Sequence, residues 1–93
     1  MAKAMWNNVT IAESDDTIVV EGNHYFPPEA VNWDYLSRSS KHSICHWKGT
    51  ASYFDIHANG ASNPDAAWSY PQPSNAARRI KDYIAFWKGV QVQ

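Results

Sequence analysis

The sequence predicts a small, mainly β domain of antiparallel strands with two short helices. Three observations carry that prediction. Apolar and polar side chains alternate with a period of two in several short runs, Val9-Thr10-Ile11-Ala12 and residues 50–58 among them, as half-buried strands require. Thr17-Ile18-Val19-Val20-Glu21 is rich in β-branched residues, which suit a pleated backbone. Turn formers stand between the runs at short intervals: Asn7-Asn8, Ser14-Asp15-Asp16, Gly22-Asn23 and Asn59-Gly60. At 93 residues the chain is a single domain, 1–93.

Taken in order, residues 3–6 run to Trp6, and Asn7-Asn8 turns the chain into Val9–Ala12 with Val9 and Ile11 on one face. After the turn at Ser14-Asp15-Asp16 comes the strand 17–21, then Gly22-Asn23 and a short strand His24-Tyr25-Phe26. The first 26 residues therefore form a meander, which Pro27-Pro28 stops. Pro28 suits a first helical turn and Glu29 complements its positive end, so residues 28–36 are expected to be a short helix ended by the polar run 37–41.

Residues 42–47 are a strand with Ser43, Cys45 and Trp47 on one face and His42, Ile44 and His46 on the other. Lys48-Gly49 turns it. The strand 50–58 places Thr50, Ser52, Phe54, Ile56 and Ala58 on a core face, and Ala51, Tyr53, Asp55 and His57 on a face suited to water or function. Asn59-Gly60 signals a hairpin, with a second turn at 62–65 delaying the return strand 66–70. Ser74 is placed to cap a short helix to about residue 81, followed by a strand to Trp87, a turn at Lys88-Gly89 and an edge strand 90–92.

Composition excludes several functions. The formal net charge is −1 and the only basic cluster is Arg78-Arg79-Lys81, so nucleic acid is not expected as a partner. One cysteine rules out an internal disulfide and any CxxC zinc site. His42 and His46, four apart on a strand, would stand roughly 13 Å apart, too far for one ion, so no metal is expected and no cofactor is implied. No apolar run approaches the ~20 residues of a membrane span, and Asn7, Asn8 and Thr10 interrupt any signal-peptide core. The expectation is a soluble cytoplasmic protein with no membrane partner.

The chemistry concentrates at Cys45-His46-Trp47-Lys48-Gly49. A cysteine needs a nearby base or cation to ionise near neutrality, and His42, His46 or Lys48 can supply one; against that, free cysteines are commonly buried and inert. Tyr25, Trp47, Tyr53, Trp68 and Tyr70 all fall on strands beside turns. With Cys45 and Lys48 they either line a concave ligand site or fill the space between sheets, since a domain this small needs its five Trp, five Tyr and three Phe for stability.

Four segments occur in order: Tyr25-Phe26-Pro27, Cys45-His46-Trp47-Lys48-Gly49-Thr50-Ala51-Ser52-Tyr53, Ala67-Trp68-Ser69-Tyr70-Pro71-Gln72-Pro73 and Ala85-Phe86-Trp87. In this combination the chain resembles the bacterial family known as domain of unknown function 427, over nearly its whole length. Many members carry Pro at the position of His46 and Tyr at that of Trp87. The resemblance implies two antiparallel sheets leaning together like a tent. The label nucleotidyltransferase, sometimes attached to the family, finds no support in the residues. That chemistry needs a Gly-Ser turn followed by paired carboxylates holding Mg²⁺, and this chain has no Gly-Ser dipeptide and no P-loop.

The function expected is small-molecule binding at a site around Tyr25, Cys45, Trp47, Lys48, Tyr53, Trp68 and Tyr70. Two alternatives stand beside it. One is a homodimeric interaction protein using an aromatic patch or the terminal edge strand. The other is a thiol enzyme with Cys45 and Lys48 as its catalytic candidates.

Overall fold

Nine strands form, arranged in three sheets rather than the two expected. The computed structural model describes residues 1–93. β1 (Ala2–Trp6) and β2 (Val9–Ser14) pair antiparallel about Asn7 and Asn8, whose φ angles of 51° and 67° are the left-handed pair a tight hairpin needs. β3 (Ile18–Val20) and β4 (Asn23–Tyr25) make a second hairpin, turning at Glu21-Gly22, one residue earlier than the sequence suggested, because Asn23 pairs with Val20. β5 (Leu36–Cys45), β6 (Gly49–Ala58), β7 (Ala61–Ser69) and β8 (Ala85–Phe86) form a four-stranded antiparallel sheet in that order. β9 (Gln91–Val92) returns to the free edge of β1, giving the order β2-β1-β9.

The β3–β4 hairpin stays a separate sheet for a local reason. Phe26 exchanges two backbone hydrogen bonds with Ile84, of 2.8 and 2.9 Å, which links the hairpin to the approach to β8. Pro27 and Pro28 follow at once and have no N–H to extend the ladder.

The two expected helices are 3₁₀ turns. Over 28–36 the turns Pro28–Ala30 and Trp33–Tyr35 are separated by Val31, which is extended and bridges to Ala12. Asn32 then caps the second turn, its side chain accepting from the Asp34 N–H at 3.1 Å. The third turn, Asn75–Ile80, follows Ser74, but the Ser74 hydroxyl bonds the carbonyl of Trp47 instead of capping. Segments this short cannot repay the cost of an α-helical nucleus.

Two strand boundaries also differ. The polar run 37–41 is the first half of β5, not a helix end. This is an outer strand, where Arg38, Lys41 and a register shift between Arg38 and His42 keep the open edge from pairing. β7 begins directly after Asn59-Gly60, and Pro64 is absorbed by a bulge in which Asp65 takes φ 57°. The bulge is held by the Asp55 carboxylate accepting from the Asp65 N–H at 2.9 Å and by Ser39 donating to the Asp65 carboxylate.

Each face of the large sheet carries its own core. Phe54, Ile56 and Phe86 pack with Ala4, Ile11, Phe26 and Ile84 against the three-stranded sheet. Ala51, Tyr53 and Ala85 pack with Val20, Tyr25, Tyr70, Ala77 and Ile80 under the hairpin and the third 3₁₀ turn. Alternation along β6 feeds both, so the face of Tyr53 is buried at its start where the sequence suggested a wet surface. No helix is long and apolar enough to cross a membrane.

Candidate ligand-binding site

The second core is not filled to its end. Between the β3–β4 hairpin and the large sheet lies a cavity of about 170 Å³ lined by Asn23, Tyr25, Lys48, Tyr53, Trp68, Tyr70 and Trp87. Strand register explains the convergence. Tyr53 pairs with Trp68 across β6 and β7, and Trp68 with Ala85 across β7 and β8, so both rings rise from one face. Trp87, two residues beyond Ala85, joins them.

The rings form a continuous wall, edge-to-face at two contacts and tilted at the third. Tyr25 and Trp68 lie 6.1 Å apart at 89°, and Trp68 and Trp87 5.7 Å apart at 74°. Trp87 then leans over Tyr53 at 6.3 Å. Polar tips are tied down behind them: the Trp68 indole donates to the Tyr25 hydroxyl at 3.2 Å, and the Tyr53 hydroxyl shares a hydrogen bond of 2.8 Å with Ser43. Such ties fix ring orientation, as a preformed pocket needs.

Lys48 is the buried charge of the site, 6% exposed. It sits on the β5–β6 turn, which folds inward because Ser74 donates its N–H to the Lys48 carbonyl at 2.9 Å. Gly49 permits this approach with φ 115°, where a β-carbon would stand 3.2 Å from the Gln72 carbonyl. The ammonium pairs with the Glu21 carboxylate and lies 5.7 Å from the Tyr70 ring centre and 5.0 Å from that of Trp47. Burial works against this ammonium, but the Glu21 hydrogen bond and the neighbouring Tyr70 and Tyr25 phenols more than offset it, and its pKa lies above the ordinary lysine value. Glu21 is held below the usual carboxylate range by the Lys48 hydrogen bond first and the Trp47 indole second. Burial pushes Tyr70 up to about 12 and raises Tyr25, so both hydroxyls are donors at neutral pH.

Two further cations stand over the rings. The Lys41 ammonium is 4.9 Å from the Tyr53 ring centre and 5.8 Å from that of Trp87, and the Lys88 ammonium is 5.3 Å from Trp87 on its own account. Neither is in an ion pair, since the chain's pairs are Met1–Asp15, Lys3–Glu13 and Lys48–Glu21.

Of the residues singled out from sequence, Tyr25, Lys48, Tyr53, Trp68 and Tyr70 meet in the cavity wall. Cys45 and Trp47 stand outside it. Cys45 ends β5, half-buried beside the second core, and Trp47 lies on the turn, 42% exposed, its indole donating to Glu21 at 3.4 Å. Burial opposes ionisation of the Cys45 thiol, but the N–H groups of Trp47 and Lys48 and the Lys48 charge prevail, leaving its pKa below the ordinary value. The histidines make other contacts: His57 bonds Ser37 and Ser62, both at 2.8 Å, and His24 bonds Thr17 at 2.9 Å. Asp15 and Asp16, the one adjacent acid pair, lie on the β2–β3 turn and do not line the cavity.

Sequence reasoning missed Asn23, Glu21, Trp87 and the rim lysines. Only Trp87 left a signal, its two-residue spacing from Ala85.

A family model described as a domain of unknown function (DUF427) matches residues 1–93. The chain belongs to the DUF427 family. No curated protein matches it. As a DUF427 domain it is assigned no reaction by its membership, and the cavity itself must supply the functional reading.

Proposed function

We propose that this protein binds a small organic anion, a single aromatic ring bearing a carboxylate, in the cavity beside Lys48. The observation that carries this reading is a buried ammonium at one end of a preformed aromatic wall, with two unpaired lysines over the outer rings. A void of about 150 Å³ is known to hold a benzene ring, so a cavity of about 170 Å³ suits one ring and little more. Faces of Trp and Tyr would contact the ring edge-on. The Tyr25 and Tyr70 hydroxyls and Lys48 would meet the carboxylate, whose charge is the same as that of Glu21. Because Glu21 is half exposed, it can swing into water as the ligand arrives.

The test is a thermal-shift and tryptophan-fluorescence titration with benzoate, neutral benzamide and cationic benzylamine. Benzoate should raise the melting temperature and quench fluorescence, benzamide less so, and benzylamine not at all. Lys48→Met should remove the preference for the anion. Equal response to all three, or none to benzoate at concentrations of about 10 mM, would end the proposal.

A second reading, thiol chemistry, is favoured by one observation: Cys45 is half-buried rather than sealed, and the Trp47 and Lys48 N–H groups, with the Lys48 charge, lower its pKa against the effect of burial. In this reading a ligand held in the cavity would present an electrophilic centre toward the β5–β6 turn. Cys45→Ala would then leave binding intact and abolish turnover.

A further inference from the structure

The opposite face of the four-stranded sheet carries a larger cavity, of about 460 Å³, that shares no residue with the aromatic one. The separation follows from the pleat. Tyr53 and Trp68 project to one side; Phe54 and Ser69, their successors in the chain, project to the other. Phe54 and Leu36 line its sheet side, Ile84 and Trp33 contribute from outside the sheet, and the Trp33 ring meets Phe54 edge-on at 5.4 Å and 70°.

Two opposite charges line this cavity without neutralising each other. Arg38 lies with its guanidinium 6.0 Å from the centre of the Phe54 ring, and it has no acidic partner. Asp82 has no basic partner, and its backbone is fixed at φ 63° by an N–H bond of 3.2 Å to the Tyr70 carbonyl. Arg38 belongs to β5 and Asp82 is hydrogen-bonded alongside Tyr70, just past the end of β7, so three strand spacings, about 14 Å across the sheet, separate their backbones, and the Arg38 side chain reaches back over Phe54 of β6 into that interval. Ser69, the last residue of β7 and the neighbour of Tyr70, also lines the cavity; its hydroxyl makes no hydrogen bond within the chain. No buried side-chain polar atom of the chain lacks a hydrogen-bond partner, so this hydroxyl reaches solvent through the cavity and is free to bond a ligand there.

We propose that this cavity is a second binding site, for a linear dipolar molecule with a carboxylate at one end, an ammonium at the other and an aliphatic chain between. The carboxylate pairs with the Arg38 fork, the geometry guanidinium groups favour. The ammonium pairs with Asp82, and the methylene chain lies over Phe54, Leu36 and Ile84. The Ser69 hydroxyl bonds the carboxylate or the ammonium, whichever the chain length brings to it. An ordinary α-amino acid does not meet this arrangement with its backbone charges alone, since those are adjacent; an ω-amino acid, or one with a basic side chain, does.

The experiment is a titration of the whole chain with ε-aminocaproate, followed by proton–nitrogen NMR correlation spectra. The expected result is saturable movement of the Trp33 indole and of the Arg38, Ser69 and Asp82 amides, with the Trp68 and Trp87 indoles still. Caproate and hexylamine, each lacking one charge, should bind at least about tenfold more weakly, and so should the probe to Arg38→Gln and Asp82→Asn. Both positions are exposed, so these variants keep the fold, which the unchanged spectrum elsewhere verifies. No movement at about 10 mM probe, equal movement with caproate or hexylamine, or movement at Trp68 and Trp87 instead, overturns the proposal. None of these outcomes depends on whether benzoate binds the aromatic cavity.

Discussion

Lys48 and Glu21 pair across two turns that are far apart in sequence, and only one of the two is buried: their side chains are 8% and 54% exposed. A buried cation without its partner is costly, whereas the exposed carboxylate loses little when it is freed. The asymmetry makes Lys48 the fixed member of the site and Glu21 the replaceable one.

The pair should show in the pH dependence of stability. Glu21 has a lowered pKa in the folded chain, so its contribution is complete above its ordinary value of 4.5 and is lost as pH falls through the lower folded value. Lys48 has a raised pKa, so its contribution is complete below 10.5 and is lost as pH rises through the higher folded value. Urea midpoints of the wild type and Glu21→Gln, compared across pH, should differ on a plateau between these limits and converge in acid. A difference that persists in acid would show that the charge of Glu21 is not what stabilises.

Cys45 offers a readout with no competing thiol. Its alkylation rate by iodoacetamide should rise with pH to an inflection below the ordinary value of 9.0. In Lys48→Met the inflection should move up, since a nearby positive charge is gone. Protection until unfolding would mean that the sulfur is sealed in the second core, and the thiol reading would fall with it.

Phe26 ties the first core together. It is fully buried, meets Phe86 edge-on at 5.6 Å, and its backbone carries the link to Ile84. Phe26→Ala should cost about 3–5 kcal/mol in denaturant unfolding, enough to unfold much of a domain this size. A loss below about 1 kcal/mol would mean that the site collapses around the void.

Gly49→Ala tests the seat of Lys48. The new methyl meets the Gln72 carbonyl at 3.2 Å on a backbone at φ 115°, so the variant should lose about 1–3 kcal/mol and weaken benzoate binding together. Gly60→Ala, at φ 77° in open space on the β6–β7 turn, should be destabilised by its turn alone and leave binding unchanged.

Much of this was legible because pleat alternation is written directly in the chain. Tyr53 could be grouped with Ala51, and Trp68 with Tyr70, before any pairing was known, and Asn59-Gly60 marked its hairpin, but that the two faces coincide is visible only in the register that pairs Tyr53 with Trp68. What could not be read is contact between distant turns. Nothing near Glu21 announces Lys48, and the sheet count depended on a one-residue bridge at Phe26. The expected helices over 28–36 and 74–81 failed because a proline and a cap residue announce a helix start without saying whether enough residues follow to sustain it. The run 37–41 was misread because an edge strand that must repel partners is polar, and so looks like a loop.

The placement of β1 between β2 and β9 has a consequence for synthesis. β2 follows β1 within a few residues and can pair with it at once, but the other ladder, including two bonds between Lys3 and Gln93 of 2.8 and 3.0 Å, needs residues 91–93. Until those leave the ribosome, β1 presents an open edge to any other nascent chain nearby. Crowded polysomes are therefore the setting in which this fold is most exposed to mispairing.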